Sequence, residues 1–138
     1  MKPRVESRAR ARALQVVYAW DLRGERDLER VTSQIFDDLL VDPEERKLAI
    51  LLLRTLNENR ETLDGLLKEV TTNWRLERLG VIERCVLRLA AAELKRGETP
   101  PKVIIRESIR LAERYGNQDS ARFVNGVLDA LARKMGRL

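Results

Sequence analysis

The 138-residue sequence is long enough to bury one core, either as a single domain or as two small lobes that share it. Hydrophobic residues make up 43% of it, which argues against disorder, and no uncharged run approaches the ~20 residues of a membrane span. Histidine is absent and Cys85 is the single cysteine, so the ordinary general base, a thiolate zinc site and an internal disulfide are all missing. We therefore expect a protein of the reducing cytoplasm, without a secretory signal at its start.

The net charge of +5 is distributed unevenly along the chain. Residues 1–23 carry six basic and two acidic side chains, residues 24–72 carry seven and twelve, and residues 73–138 carry fourteen and eight. A basic start and end around an acidic middle are typical of a protein that binds a polyanion, with a basic protein as a further partner.

Apolar residues recur with helical spacing along nearly the whole chain. The first predicted helix spans about Ser7–Leu22, and Asp27 is placed to cap the second. The apolar face of the second helix comprises Leu28, Val31, Ile35 and Leu39. The run Asp42-Pro43-Glu44-Glu45 combines a cap, a first-turn proline and carboxylates, so it predicts the start of a long third helix. The polar middle of that helix, "NENRE", is where it would bend or lie exposed.

Shorter elements follow in the second half of the chain. Asn73 is expected to cap a short turn, "WRLERLG", before a fifth helical segment that Gly97 ends. Pro100 and Pro101 begin a sixth, and Asp119 is expected to cap the last. About seven helices joined by short loops predict an all-α fold, a compact bundle.

The first predicted helix carries a row of polar side chains that spans about 80° at ~100° per residue. The row comprises Arg4, Arg8, Arg12 and Gln15, and the opposite face comprises Ala9, Ala13, Val16, Val17 and Trp20. Arg10 falls apart from the row, on an edge with Tyr18. Arginine forks match phosphate geometry, and a tyrosine ring can stack on an unpaired base. Charged helix faces are common, however, so this stretch by itself favours a solvated basic face with Tyr18 half-buried.

The segment "QDSARFVNGVLD", residues 118–129, places a glycine inside a predicted helix. Gly126 costs ~1 kcal/mol relative to alanine there, and we expect it to allow a neighbouring backbone to approach closely. Asn125, beside an apolar stripe, is expected to bond to a neighbouring segment. Phe123 would be either part of the core or exposed for stacking.

Residues with catalytic chemistry form no recognisable motif. Adjacent carboxylates such as Asp37-Asp38 stand without a nucleophile or a set of metal ligands beside them. The sequence has no glycine-rich phosphate loop, no G-x-S-x-G and no metal motif. We therefore predict no enzymatic activity, no cofactor and no metal site.

A resemblance to the bacterial transcription antitermination factor NusB is carried by three stretches, "RARARALQVVYAWD", "NWRLERLGVIERCVLRLAAAEL" and "PKVIIRESIRLAERYGNQDSARFVNGVLDALAR". Their most specific parts are "FVNGVLD" and the W-x-L-x-R-L turn. The resemblance implies a single RNA-binding domain made of two small helical lobes, about 1–72 and 73–138. It also implies binding to the boxA segment of nascent ribosomal RNA together with NusE, a small-subunit ribosomal protein, so that RNA polymerase reads through terminators.

In this family RNA meets the arginine-rich first helix and the start of the last helix. By position, the resemblance points to Lys2, Arg8, Arg10, Gln15, Tyr18, Asp119 and Phe123 as RNA-binding residues. The basic side chains would hold phosphates, while Gln15, Asp119 and the rings would face bases. NusE would dock on the fifth segment, where Glu83 matches the family's acidic contact. Arg78 and Ile82 are assigned to the same partner surface.

The sequence departs from the family pattern at several positions. Glu6 and Ser7 stand where consecutive arginines are common, and this would weaken or shift phosphate contacts. Ala11 replaces a frequent glutamate, and Arg106 replaces a usual asparagine.

Two other interpretations stay open. A NusB-like RNA-binding module precedes the catalytic part of some RNA cytosine methyltransferases, although a chain ending at Leu138 leaves no room for a cofactor domain and would have to be a fragment. A purely protein-binding adaptor with solvated arginines is the other. Some family members self-associate through the RNA-binding face, so a homodimer is also left open. No membrane partner is expected.

Overall fold

The structure, a computed structural model, describes residues 4–71 and 76–138. Lys2, Asn73 and the predicted lobe boundary at about residue 72 lie outside the described residues. Within the described ranges the chain forms α-helices and one 3-10 turn without any strand, which confirms the all-α prediction. The elements are α1 (Val5–Leu22), α2 (Leu28–Asp38), α3 (Pro43–Val70), the 3-10 turn (Leu76–Arg78), α4 (Val81–Arg96), α5 (Pro101–Tyr115) and α6 (Gln118–Lys134).

Side-chain caps set the start of three helices. Asp27 accepts from the backbone N–H of Arg30 at 3.1 Å, and Asp42 accepts from that of Glu44 at 2.9 Å, so both predicted caps are confirmed. The cap of α6 is Asn117 and not Asp119, because Asn117 and Ser120 form a reciprocal capping box.

The long helix α3 bends within its polar middle, as predicted. Asn59 has φ −125° and ψ 18°, and its side chain donates to the carbonyl oxygen of Thr55 at 2.8 Å. A side-chain donor of this kind competes with the helical ladder and favours a bend. None of the helices in the described part of the chain has the length and apolarity needed to cross a bilayer.

The core is built around α4, which packs against α1, α3, α5 and α6. Residues 85–94 of α4 are all buried, including Arg88 and Glu93. Burial raises the pKa of the Cys85 thiol to about 12, so this cysteine stays protonated inside the bundle. The apolar face predicted for α1 is at most 2% exposed, and it lies against α2, α3 and α4.

Three packing predictions are wrong, those for Leu39, Asn125 and Gly126. Leu39 is 44% exposed because α2 ends at Asp38, and Phe36, at 2% exposure, fills the core in its place. Gly126 and Asn125 are exposed, and apart from the chain neighbours and the backbone of α6 itself, no atom lies within 4 Å of a Cβ built on Gly126. The glycine therefore leaves an open surface on α6 and does not accommodate another part of the described chain.

Candidate nucleic-acid interface

The polar row of α1 is held in place by its neighbours and stays partly exposed. Arg8 donates from Nε to Glu45 Oε1 on α3 at 3.0 Å, and 40% of its side-chain surface remains accessible. Arg12 donates from Nη1 to Gln15 Oε1 at 3.2 Å. These contacts orient the row while leaving its outer edge open to a ligand.

Arg10 is buried, which corrects the prediction that it lies on an exposed edge beside Tyr18. It is only 6% exposed, and its Nε and Nη2 donate to the two carboxylate oxygens of Glu93 at 2.8 and 2.6 Å. Its Nη1 donates to Glu107 Oε1 at 3.3 Å. Burial opposes the charge of Arg10, but the hydrogen bond to Glu93 and the charges of both glutamates outweigh it and raise the pKa of Arg10. The guanidinium is thus committed to α4 and α5.

Tyr18 lies near the end of α1 and is exposed. Its relative accessibility is 39%, so part of the side chain is covered and part is open, which agrees with the half-buried ring that the helix pattern alone favours. A partly accessible tyrosine at the end of a helix that also carries arginines is a suitable platform for an unpaired base.

The start of α6 presents one solvated carboxylate and one partly buried ring. Asp119 is exposed in the first turn and forms an ion pair with Arg122. Phe123 packs partly against the hydrophobic core and is of intermediate exposure. Phe123 therefore belongs partly to the core, and the accessible part of its side chain is left for stacking.

Glu83 is less available than its predicted role suggests. It is of intermediate exposure and accepts from Ser120 Oγ at 2.5 Å, so it supports the cap of α6. Ile82 packs partly against the core, whereas Arg78 in the 3-10 turn is exposed. The predicted partner surface thus adjoins the start of α6.

The two elements predicted to bind RNA are connected through α4. Within the described residues, α1 and α6 do not pack extensively against each other. Asp21 near the end of α1 accepts from Arg84 Nε and Nη2 at 2.7 Å each. Glu83, the residue before Arg84 in α4, accepts from Ser120 of α6. The first turn of α4 therefore holds both the end of α1 and the start of α6.

A groove of about 1010 Å³ lies between α1 and α5, and we call it the α1–α5 groove. Its charged lining residues are Arg4, Arg8, Arg10, Arg12, Arg106, Arg110, Arg114, Glu6, Glu98 and Glu107. Arginines therefore outnumber glutamates seven to three in the lining. Ser7 and Arg10 of α1 both donate to Glu107 of α5, so the two walls are tied together at the floor.

The arginines of α5 were missed as a group by the sequence analysis, which noted Arg106 only as a departure from the family. Arg106, Arg110 and Arg114 are spaced four residues apart, so they share one helix face. This spacing was a readable signal. What the sequence did not reveal is that this face of α5 lies opposite the arginines of α1.

Comparisons with known proteins cover nearly the whole chain. A sequence model of the NusB family matches residues 7–133. The transcription antitermination protein NusB of Solibacter usitatus is 40% identical over 130 residues, which are 93% of this chain and 88% of that protein.

Solved structures agree with the sequence comparison. The structure of T. maritima NusB is similar with a TM-score of 0.86 and 35% identity, covering 96% of this chain and 93% of that chain. A chain in a crystal structure of antitermination factors NusB and NusE in complex with dsRNA has a TM-score of 0.87 and 27% identity, covering 96% of this chain and 99% of that one.

Proposed function

Because this chain belongs to the NusB family of transcription antitermination proteins, we propose that it binds boxA-type single-stranded RNA of nascent ribosomal transcripts together with the ribosomal protein NusE. The observation that carries the proposal is the family match across residues 7–133. The shared fold with a NusB chain that was crystallised with NusE and RNA supports it. RNA polymerase would be engaged only indirectly, through the assembled complex in the cytoplasm.

The exposed side chains of α1 supply both kinds of RNA contact in this proposal. Arg8 would hold phosphate, since an arginine side chain that is 40% exposed can keep its bond to Glu45 and still bind an outer anion. Lys2, by its position in the sequence, would add a second phosphate contact. Gln15 and Tyr18 would face bases, one by hydrogen bonding and the other by stacking.

Asp119 and Phe123 would extend base recognition to the start of α6. A carboxylate repels phosphate, so the exposed Asp119 fits better as an acceptor from a base amino group. The accessible part of Phe123 offers a second stacking surface. Arg10 takes a different part from the one predicted: it positions α1 against α4 and α5 and leaves phosphate binding to its neighbours.

NusE would dock beside the first turn of α4. Arg78 is exposed in the 3-10 turn that precedes α4, and Ile82 and Glu83 are half-buried in the first turn of α4. Because Glu83 also supports the cap of α6 through Ser120, a partner that contacts Glu83 would lie beside the element that carries Asp119. This arrangement would let the protein partner and the RNA bind side by side.

Binding of RNA by the wild-type protein and by Tyr18→Ala tests the proposal. Filter binding at fixed salt would compare boxA-type RNA, a scrambled strand and the boxA duplex, each with and without NusE. Loss of one stacked base costs ~1–3 kcal/mol, so Tyr18→Ala should weaken binding by roughly 5- to 150-fold. Tyr18→Phe keeps the ring and should bind like the wild type, while Leu40→Ala, at an exposed turn position, serves as a second control.

Each open alternative has its own outcome. Equal affinity for boxA-type and scrambled RNA in the presence of NusE, with Tyr18→Ala unchanged, would favour the protein-binding adaptor and contradict the proposal. Methyl transfer to cytosine by a longer natural form of the chain would favour the methyltransferase module. Light scattering with and without RNA would show whether a homodimer competes with the RNA.

A further inference from the structure

The α1–α5 groove contains more positive charge than its ion pairs with neighbouring carboxylates neutralise. Arg106 is exposed and has no ion-pair partner among the described residues. Arg110 keeps 69% of its side-chain surface accessible despite a 3.5 Å contact with Glu107. Arg114 lies over the ring of Tyr115, at 5.1 Å from the ring centre, and carries its charge at the surface. The outer face of α5 therefore presents three cations.

The acidic side chains of the groove do not cancel this charge. Glu107 is 8% exposed and accepts from Ser7, Arg10 and Arg110, so its charge is satisfied within the floor. Glu6 and Glu98 are the remaining carboxylates of the lining. Because only these two carboxylates oppose the accessible arginines of the two walls, the net charge of the groove is positive and suits a polyanion.

The geometry of the two walls favours an extended anion over a compact one. At 1.5 Å rise per residue, arginines four residues apart follow one another every ~6 Å along α5. Arg4, Arg8 and Arg12 repeat the same spacing along α1 on the opposite wall. A chain with regularly spaced charges can contact successive guanidinium groups of both rows, whereas a single small anion would use one or two.

Continuity with the proposed RNA surface identifies the occupant. Arg8 and Gln15, which we assigned to RNA, both line this groove. A strand that contacts them is already at the wall of the groove, where the partly exposed side chain of Val103 offers an apolar contact to a base. An acidic peptide would match the charge but would not follow from the neighbouring site.

We propose that the α1–α5 groove is a phosphate-binding track for single-stranded RNA that flanks the boxA-type segment, with Arg106, Arg110 and Arg114 as its contacts on α5. This inference rests on the proposed function, since it extends the RNA path from Arg8 and Gln15. It assigns to α5 a binding role that does not depend on base identity.

The test compares RNA binding by the wild type and by the triple variant Arg106→Gln, Arg110→Gln, Arg114→Gln. The probes are boxA-type RNA and the same RNA extended by a single-stranded flank of mixed sequence at either end. The extended RNA should bind the wild type more tightly, and the triple variant should lose this advantage while binding the short RNA unchanged. For extended RNA, the slope of log K against log salt should fall by about 2, since each lost phosphate contact contributes ~0.7.

A matched control removes the same charge elsewhere. Arg26, Arg30 and Arg54 are exposed and lie outside the groove lining, so changing all three to Gln should leave the flank effect intact. If circular dichroism shows that the triple variant on α5 is misfolded, the test is repeated with Arg106→Gln alone, because Arg106 forms no ion pair with a described residue.

The outcomes separate this inference from the proposed function. If boxA-type RNA is preferred over scrambled RNA but the flank adds nothing, or if control and α5 variants behave alike, the groove inference is wrong and the proposed function stands. If the flank effect depends on the α5 arginines while boxA-type and scrambled segments bind equally, the groove inference stands and the proposed function is wrong. Competition by polyglutamate without any flank effect would show that the groove takes an acidic peptide instead.

Discussion

At the scale of single residues, Arg10 shows how a guanidinium can be removed from ligand binding by its surroundings. Its fork is bound to both oxygens of Glu93, and a further nitrogen donates to Glu107. Binding a phosphate through the fork would require Arg10 to release Glu93, and this buried carboxylate would then lose its ion-pair partner, which is costly. The stabilising role of Arg10 therefore excludes a direct one unless the bundle opens.

Replacement of Arg10 by Ala should destabilise the fold. Glu93, which is 3% exposed, would lose its ion-pair partner, and Glu107, which is 8% exposed, would keep only the longer ion pair with Arg110. Breaking a buried pair from one side costs about 3–5 kcal/mol. Urea denaturation followed by circular dichroism should show this loss, while Arg12→Ala, on the partly exposed row, should change the free energy of unfolding by less than about 1 kcal/mol.

A small stability change in Arg10→Ala combined with a large loss of RNA affinity would reverse this assignment. It would show that Arg10 leaves the glutamates to hold phosphate. The double variant Arg10→Met, Glu93→Met provides a further check, because removing both charges should recover part of the lost stability.

At the scale of helices, the start of α6 has two candidate caps only two residues apart. Asp119 and Asn117 are both good cap residues, and sequence alone does not decide between them. The capping box decides it, since Asn117 accepts from the N–H of Ser120 at 2.9 Å and the hydroxyl of Ser120 accepts from the N–H of Asn117 at 3.3 Å. Asp119 is left exposed in the first turn.

Asn117→Ala and Asp119→Ala should therefore separate stability from RNA binding. Loss of the Asn117 cap should cost about 1 kcal/mol in the free energy of unfolding. Asp119→Ala should cost less, because its contact with Arg122 is a solvated ion pair, yet it should lower affinity for boxA-type RNA. Thermal unfolding and filter binding on both variants provide the comparison, and the reverse pattern would refute the assignment of Asp119.

The helical elements were predictable where the signal is local. Asp27, Asp42 and the bend in "NENRE" depend on neighbouring residues, and the structure confirms them. The exposure of Gly126 and the burial of Arg10 depend on which helix packs opposite, and a helical wheel contains no such information. The groove arginines combine both cases, since their spacing is local and their pairing with α1 is not.

At the scale of the whole molecule, the arginines fall into two classes. Arg10, Arg84 and Arg88 form ion pairs in which the side chains are 15% exposed or less, apart from Glu25. These pairs join α4 to α1 and α3, and α1 to α5. Arg106, Arg110 and Arg114 stand in solvent along the groove. Salt screens buried ion pairs little. Added salt weakens the binding of a polyanion to solvated cations, because the release of counterions then favours binding less.

Stability and RNA affinity should consequently respond differently to salt. Raising salt from about 50 to 200 mM should lower RNA affinity by about a hundredfold for roughly five phosphate contacts. The reason is that the release of counterions from the RNA favours binding less when the surrounding salt is more concentrated. Over the same range the free energy of unfolding in urea should stay within about 1 kcal/mol, because the buried pairs are shielded from ions and the net charge of +5 repels itself less. Urea is the suitable denaturant since guanidinium is itself a salt. Parallel losses of stability and affinity would mean that the buried pairs are as accessible to ions as the groove, and the separation into two classes would be wrong.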